Sequence, residues 1–177
     1  GTTNKIKTSK VVNNVAFEKQ IYSRFEAIEI DGFVYQNADV ESITVGENAA
    51  NNVINLYYRR INNLSYTVNY YEKNTTTRLR QSKIVEGKSF EDVINSANEV
   101  EEIPGYNFSE ADKSTLVISS DINANVINLY YTKRTDISYK VNYYIQGTRI
   151  KAKESKIVSN KQIGDIVYAL DERIEID

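Results

Sequence analysis

The 177-residue chain carries 22 basic and 24 acidic residues, a net charge of −2, and it has neither histidine nor cysteine. So balanced a charge draws no polyphosphate backbone from a distance, and nucleic acid is not an expected partner. Without thiols and imidazoles the chain lacks the usual soft metal ligands, the Cys and His nucleophiles and the best proton carrier near neutral pH, so no catalytic residues, no bound metal and no cofactor are expected.

The start, Gly1-Thr2-Thr3-Asn4, has neither the charged nor the apolar region of a signal peptide, and no window approaches the roughly 18 apolar residues of a spanning helix. No membrane insertion is expected in this segment. A chain with no methionine, even at position 1, reads as a piece of something longer. Its first block, Ser9-Lys10-Val11-Val12, returns as Ser82-Lys83-Ile84-Val85 and Ser155-Lys156-Ile157-Val158, each 73 positions on. Upstream of each block, Lys5/Lys7, Arg78/Arg80 and Lys151/Lys153 alternate with period 2, as on a strand with one wet face. Lysines on such a strand suit an edge, where they discourage sheet-to-sheet pairing.

Next comes Ser89-Phe90-Glu91-Asp92-Val93-Ile94-Asn95-Ser96-Ala97, with Phe90, Val93, Ile94 and Ala97 at i, i+3, i+4 and i+7. That spacing predicts a short amphipathic helix, with Ser89 as N-cap and Asp92 three residues on. Phe17 and Ile21 take the anchor positions in the first copy, Ile163 and Val167 in the third. An acidic stretch follows, including Glu99, Glu101 and Glu102; it lacks the spacing of a calcium loop and reads as a solvated charge run. The turn Ile103-Pro104-Gly105-Tyr106 has counterparts at Ile30-Asp31-Gly32-Phe33 and Ile176-Asp177, where glycine supplies a positive φ. Leu116-Val117-Ile118 predicts a third strand, and an Asn-rich turn from Asp121 to Asn125 leads to a fourth, Val126-Ile127-Asn128-Leu129-Tyr130-Tyr131.

That last element repeats Val53-Ile54-Asn55-Leu56-Tyr57-Tyr58. After short polar links it is followed by Leu64-Ser65-Tyr66-Thr67-Val68-Asn69-Tyr70-Tyr71 and, again 73 positions later, by Ile137-Ser138-Tyr139-Lys140-Val141-Asn142-Tyr143-Tyr144. The chain therefore reads as a partial repeat over 1–60 without its first strand, a complete repeat over 64–131, and a partial repeat over 137–177 without its third and fourth strands. Each unit has the order β-β-α-β-β. One short helix over a four-stranded sheet is an α+β unit, most simply a ubiquitin-like β-grasp with strand order second-first-fourth-third, repeated in tandem. The empty strand positions of the partial repeats suggest that Ser138–Tyr144 of one molecule could fill the slot left in residues 1–58 of another.

The sequence of motifs, from Ser65-Tyr66-Thr67-Val68-Asn69-Tyr70-Tyr71 through Ser82-Lys83-Ile84-Val85-Glu86-Gly87 and Ile103-Pro104-Gly105-Tyr106 to the closing Tyr-rich strand, resembles the MucBP (mucin-binding protein) repeat of Gram-positive surface adhesins. Phe33 stands for the turn tyrosine in the first copy, and Asn160 for Gly87 in the third. The resemblance implies a secreted or cell wall-anchored protein of the bacterial cell surface, with neighbouring repeats as partners and host mucin or another glycoprotein as ligand. The alternative is a structural stalk with no ligand of its own, for which tandem units on short links are suited.

Strand alternation directs Tyr66, Val68, Tyr70, Ile127, Leu129 and Tyr131 inward and leaves Asn69, Tyr71, Asn128 and Tyr130 on the uncovered face. Aromatic rings beside amides suit the C–H faces and hydroxyl edges of sugars, so these four are the candidate ligand-binding residues. The competing reading is that they are ordinary strand formers packed on a link or neighbour. Lys83 is the best-placed lysine for an intramolecular isopeptide bond, against the simpler reading of an exposed amine.

Overall fold

The computed structural model describes residues 4–175, so the turn expected at Ile176-Asp177 lies outside them. The chain divides into two compact units, one ending at Asn62 and the other starting at Asn63. In the first unit β1 (Gln20–Tyr22) pairs antiparallel with β3 (Ser42–Thr44), and β2 (Phe33–Ala38) with β4 (Leu56–Arg60).

The second unit opens with β5 (Leu64–Glu72) and β6 (Lys83–Lys88), continues through β7 (Val93–Asn95), β8 (Tyr106–Ala111), β9 (Thr115–Val117) and β10 (Val126–Lys133), and ends in a hairpin of β11 (Ile137–Tyr144) and β12 (Lys151–Lys161). Four strands form one sheet in the order β6-β5-β10-β8, with β5 and β10 parallel at its centre, and β7 pairs with β9 in a separate ladder. A shift of 73 positions lays β1–β4 on β7–β10 and β11 on β5. Among the described residues β4 pairs only with β2, and β11 only with β12, so each keeps one open edge.

The expected α+β class is wrong, and with it the β-grasp unit. Among the described residues strands make up 42% and helical residues only 8%, with no true helix. Where Ser89–Ala97 was expected to be helical, Glu91 has φ 66°, in the left-handed region that a right-handed helix excludes. The chain then enters β7, whose Val93, Ile94 and Asn95 pair with Val117, Leu116 and Thr115. Asp92 Oδ2 does accept from the Ser89 backbone N–H at 2.7 Å, but it closes a turn instead of opening a helix. The one helical turn of the region, Ser96–Glu99, is a 3-10 turn whose Ala97 N–H donates to the Asn95 side chain. Two β-branched residues at the centre of the segment favour the strand. Consequently Val93, expected in the core, is 67% exposed.

The inward faces of β5 and β10 form the core. Val68, Tyr70, Ile127 and Leu129 are fully buried, Tyr66, Leu64 and Tyr131 nearly so, and Leu116 and Ile118 are buried with them from the β9 side.

Asn125, read from the sequence as part of a polar turn, is fully buried. Its Oδ1 accepts from Ser119 N at 2.8 Å, and its Nδ2 donates to Ser119 O at 2.9 Å and Ser65 O at 3.2 Å, clasping the entry to β10 against the start of β5. Asn52 holds Gly46 the same way in the first unit. Because Asn125→Ala strands three backbone groups, it is expected to destabilise the second unit by about 2 kcal/mol, read from urea unfolding. A loss under about 0.5 kcal/mol would show the clasp to be replaceable by water.

Candidate functional site

The parallel register sets Asn69 beside Asn128 and Tyr71 beside Tyr130 on the outward face of the sheet. All four candidate residues are thus brought together. The Tyr71 and Tyr130 rings stack at a centroid distance of 6.2 Å and an interplanar angle of 29°, and the Arg78 guanidinium lies 5.8 Å from the Tyr71 centroid. Both rings are half-buried.

The amides are differently placed. Ser82 Oγ donates to Asn69 Oδ1 at 2.7 Å, Asn69 Nδ2 donates to Asn128 Oδ1 at 2.9 Å, and Asn128 Nδ2 donates to Asp112 Oδ2 at 3.0 Å. Arg78 extends the ladder at one end by donating to Ser82 Oγ, and Lys113 pairs with Asp112 at the other. The amides are therefore engaged within the protein, by each other, by Ser82 and by Asp112, and Asn69 is buried. What this face offers a ligand is the cation and two rings of the neighbouring row, Arg78-Tyr71-Tyr130. A groove of about 350 Å³ in the same unit is lined by Ile103, Pro104, Tyr106, Phe108, Tyr131 and Arg134 and by none of the four candidates.

The alternating cations do not share one wet face. Arg78 lies over Tyr71 on the outer side, whereas Arg80 lies 5.0 Å from the ring of the inward Tyr70 and pairs with Glu101. Nor is the acidic stretch a solvated run, because Glu99 is only 7% exposed. Tyr66 Oη donates to Glu99 Oε1 at 2.8 Å, Lys83 Nζ sits 2.8 Å from Glu99 Oε2, and Tyr70 Oη donates to Glu101 Oε1 at 3.0 Å. Tyr131 Oη donates to the Glu101 carbonyl and accepts from its N–H.

Burial, seconded by the carboxylate it bonds, pushes the Tyr66 phenol up to about 12 and that of Tyr70 higher still. Burial alone would raise Glu99; hydrogen bonds from Lys83 and Tyr66 outweigh it and hold the carboxyl below its ordinary value. Lys83 also lies within reach of a second carboxylate, Glu101 Oε1, at 3.9 Å. The residues that close the inner face are thus Lys83, Glu99 and Glu101 with three tyrosines. Their signal was present at the period of 73, since Lys10 pairs with Glu26 and Lys156 with Glu172, each at 2.8 Å. Tyr139 bonds Glu172 as Tyr66 bonds Glu99.

Among the described residues no helix is long and apolar enough to cross a membrane. No family model matches the chain, and no curated protein matches it.

Proposed function

We propose that the chain is a repeat region of a Gram-positive cell-surface adhesin of the MucBP type, secreted or anchored to the cell wall, and that its repeats serve as a spacer. One observation carries this reading: the link that leaves each repeat is fastened to that repeat's own turn. Ile61 N–H donates to the Gly32 carbonyl at 2.9 Å, and 73 positions later Arg134 N–H donates to the Gly105 carbonyl at 2.8 Å. A link pinned at its root limits the angles its successor can take, as a stalk of tandem units requires. The internally bonded amides of Asn69 and Asn128 fit a strand face built for cohesion.

A second reading, favoured by the row Arg78-Tyr71-Tyr130, is that the outer face holds mucin-type glycans. Rings and a guanidinium suit a sugar's C–H face and a nearby acidic substituent. A contact of two rings and one guanidinium on a sheet face buries little of a sugar, so affinity per repeat would be millimolar, about −4 kcal/mol, with avidity supplying the rest. NMR titration of the whole chain with mucin oligosaccharides separates the two. The spacer reading expects unchanged spectra at several times millimolar ligand. Shifts at Arg78, Tyr71 and Tyr130 that vanish in Tyr71→Ala/Tyr130→Ala and weaken in Arg78→Ala would sink it in favour of the glycan platform.

A further inference from the structure

The glycines of the second unit with positive φ are not alike. At Gly87, Gly147 and Gly164 an added Cβ would meet nothing within 4 Å, so there the residue serves backbone conformation alone. At Gly105, φ 82°, an added Cβ would lie 1.9 Å from Ile163 Cδ1, 3.0 Å from its Cγ1 and 3.2 Å from its Cβ. Ile163 belongs to the following repeat, just beyond β12. Its side chain occupies the space that any other residue at 105 would fill.

The same place is tied by backbone. Arg134, in the link, donates its N–H to the Gly105 carbonyl at 2.8 Å, and its own carbonyl accepts from Ile163 N–H at 3.4 Å. Within the link between β10 and β11 the Arg134 guanidinium makes a two-pronged contact with Asp136, at 2.8 Å on both oxygens. Turn, link and incoming repeat therefore meet at one point.

We propose that the glycine turn is a socket for the succeeding repeat, with Ile163 as its plug, and that this seat holds the β11–β12 hairpin and the complete repeat as one body. The inference rests on the spacer reading for its biological use; mechanically it stands on the Gly105–Ile163 contact. A close-packed contact of this kind has one preferred arrangement, whereas a link alone would leave a range of angles. Gly105 is therefore under a constraint from the next repeat as well as from its own turn.

The chain has no cysteine, so spin labels can be placed uniquely on Asn98→Cys and Glu154→Cys, both exposed positions. Pulsed dipolar spectroscopy on the otherwise unaltered chain is expected to give one narrow distance distribution. Ile163→Ala should broaden it at least about twofold, and Gly105→Asn, which tolerates positive φ but carries a Cβ, should do the same, with amide spectra of residues 64–133 preserved in Ile163→Ala. A distribution already broad before substitution, or a width unmoved by Ile163→Ala, overturns the proposal. Neither outcome depends on the glycan titration, so a failure of the socket and a failure of the spacer reading are separately visible.

Discussion

Leu129→Ala is expected to lower the stability of the second unit by about 3–4 kcal/mol, the cost of an unfilled cavity in a close-packed site, while Val93→Ala changes it by less than about 0.5 kcal/mol. The two residues would share one core if Ser89–Ala97 were a helix. In the observed ladder Leu129 is fully buried at the centre of the sheet and Val93 points outward from β7, 67% exposed. Urea unfolding followed by the amide signals of β5 and β10 reads both. Equal losses from the two substitutions would contradict the strand assignment.

Glu99→Ala is expected to cost about 3 kcal/mol, because it leaves Tyr66 Oη without an acceptor in the core and removes the nearer of the two carboxylates paired with Lys83. Lys83 is part-exposed and can rehydrate, which keeps the loss below that of a fully enclosed pair. The pH dependence has a definite sign. The Glu99 carboxyl lies below its ordinary value of 4.5 when folded, since the bonds from Lys83 and Tyr66 overcome the opposing effect of burial. Its contribution is therefore complete above pH 4.5 and is lost as pH falls from there through the lowered value. Tyr66 works from the other side: its phenol, raised from 10.0 to about 12 by burial and by Glu99, contributes fully below pH 10.0 and loses that contribution as pH rises through about 12. Unfolding free energies of wild type and Glu99→Gln across pH 3–6 are expected to converge toward the acid end. Parallel curves would show that Glu99 does not titrate with folding.

Strand faces were legible in the sequence because alternation is a local property. Tyr66, Val68 and Tyr70 lie inside with Ile127, Leu129 and Tyr131, and the Asn and Tyr residues between them lie on the opposite face, as period 2 dictates, although Asn69 is buried there. The adjacency of Asn69 with Asn128 followed from placing the first and fourth strands side by side. Which groups satisfied those amides was not legible, since Ser82 and Asp112 reach them from β6's side and from the end of β8.

The missing helix had a sign in the repeats themselves. The left-handed residue Glu91 falls at the same repeat position as Glu18, φ 60°, and Gly164, φ 87°, and a glycine at the third place of a presumed helix is the residue that such a backbone favours. Asn14, Gly87 and Asn160 likewise share one position and one conformation, with φ of 58°, 72° and 60°. Asn160 in place of the glycine is thus a substitution between the two residue types that enter this region most readily.

By itself the sequence determined the 73-residue period, the strand faces and the polar links, because each is written in residues near one another. Tertiary structure decided the pairing of Val93–Asn95, since its i, i+3, i+4 spacing also suits a helix and the ladder to Thr115–Val117 supplies the distant partner that makes it a strand. It likewise turned Glu99 and Glu101 from a surface charge run into the lid of the core, because a carboxylate is tolerated there only when distant partners, Lys83, Arg80 and the tyrosines, are brought within hydrogen-bonding reach. And it made Gly105 a contact between repeats, for nothing near that glycine in the chain announces that Ile163 will take the place of its side chain.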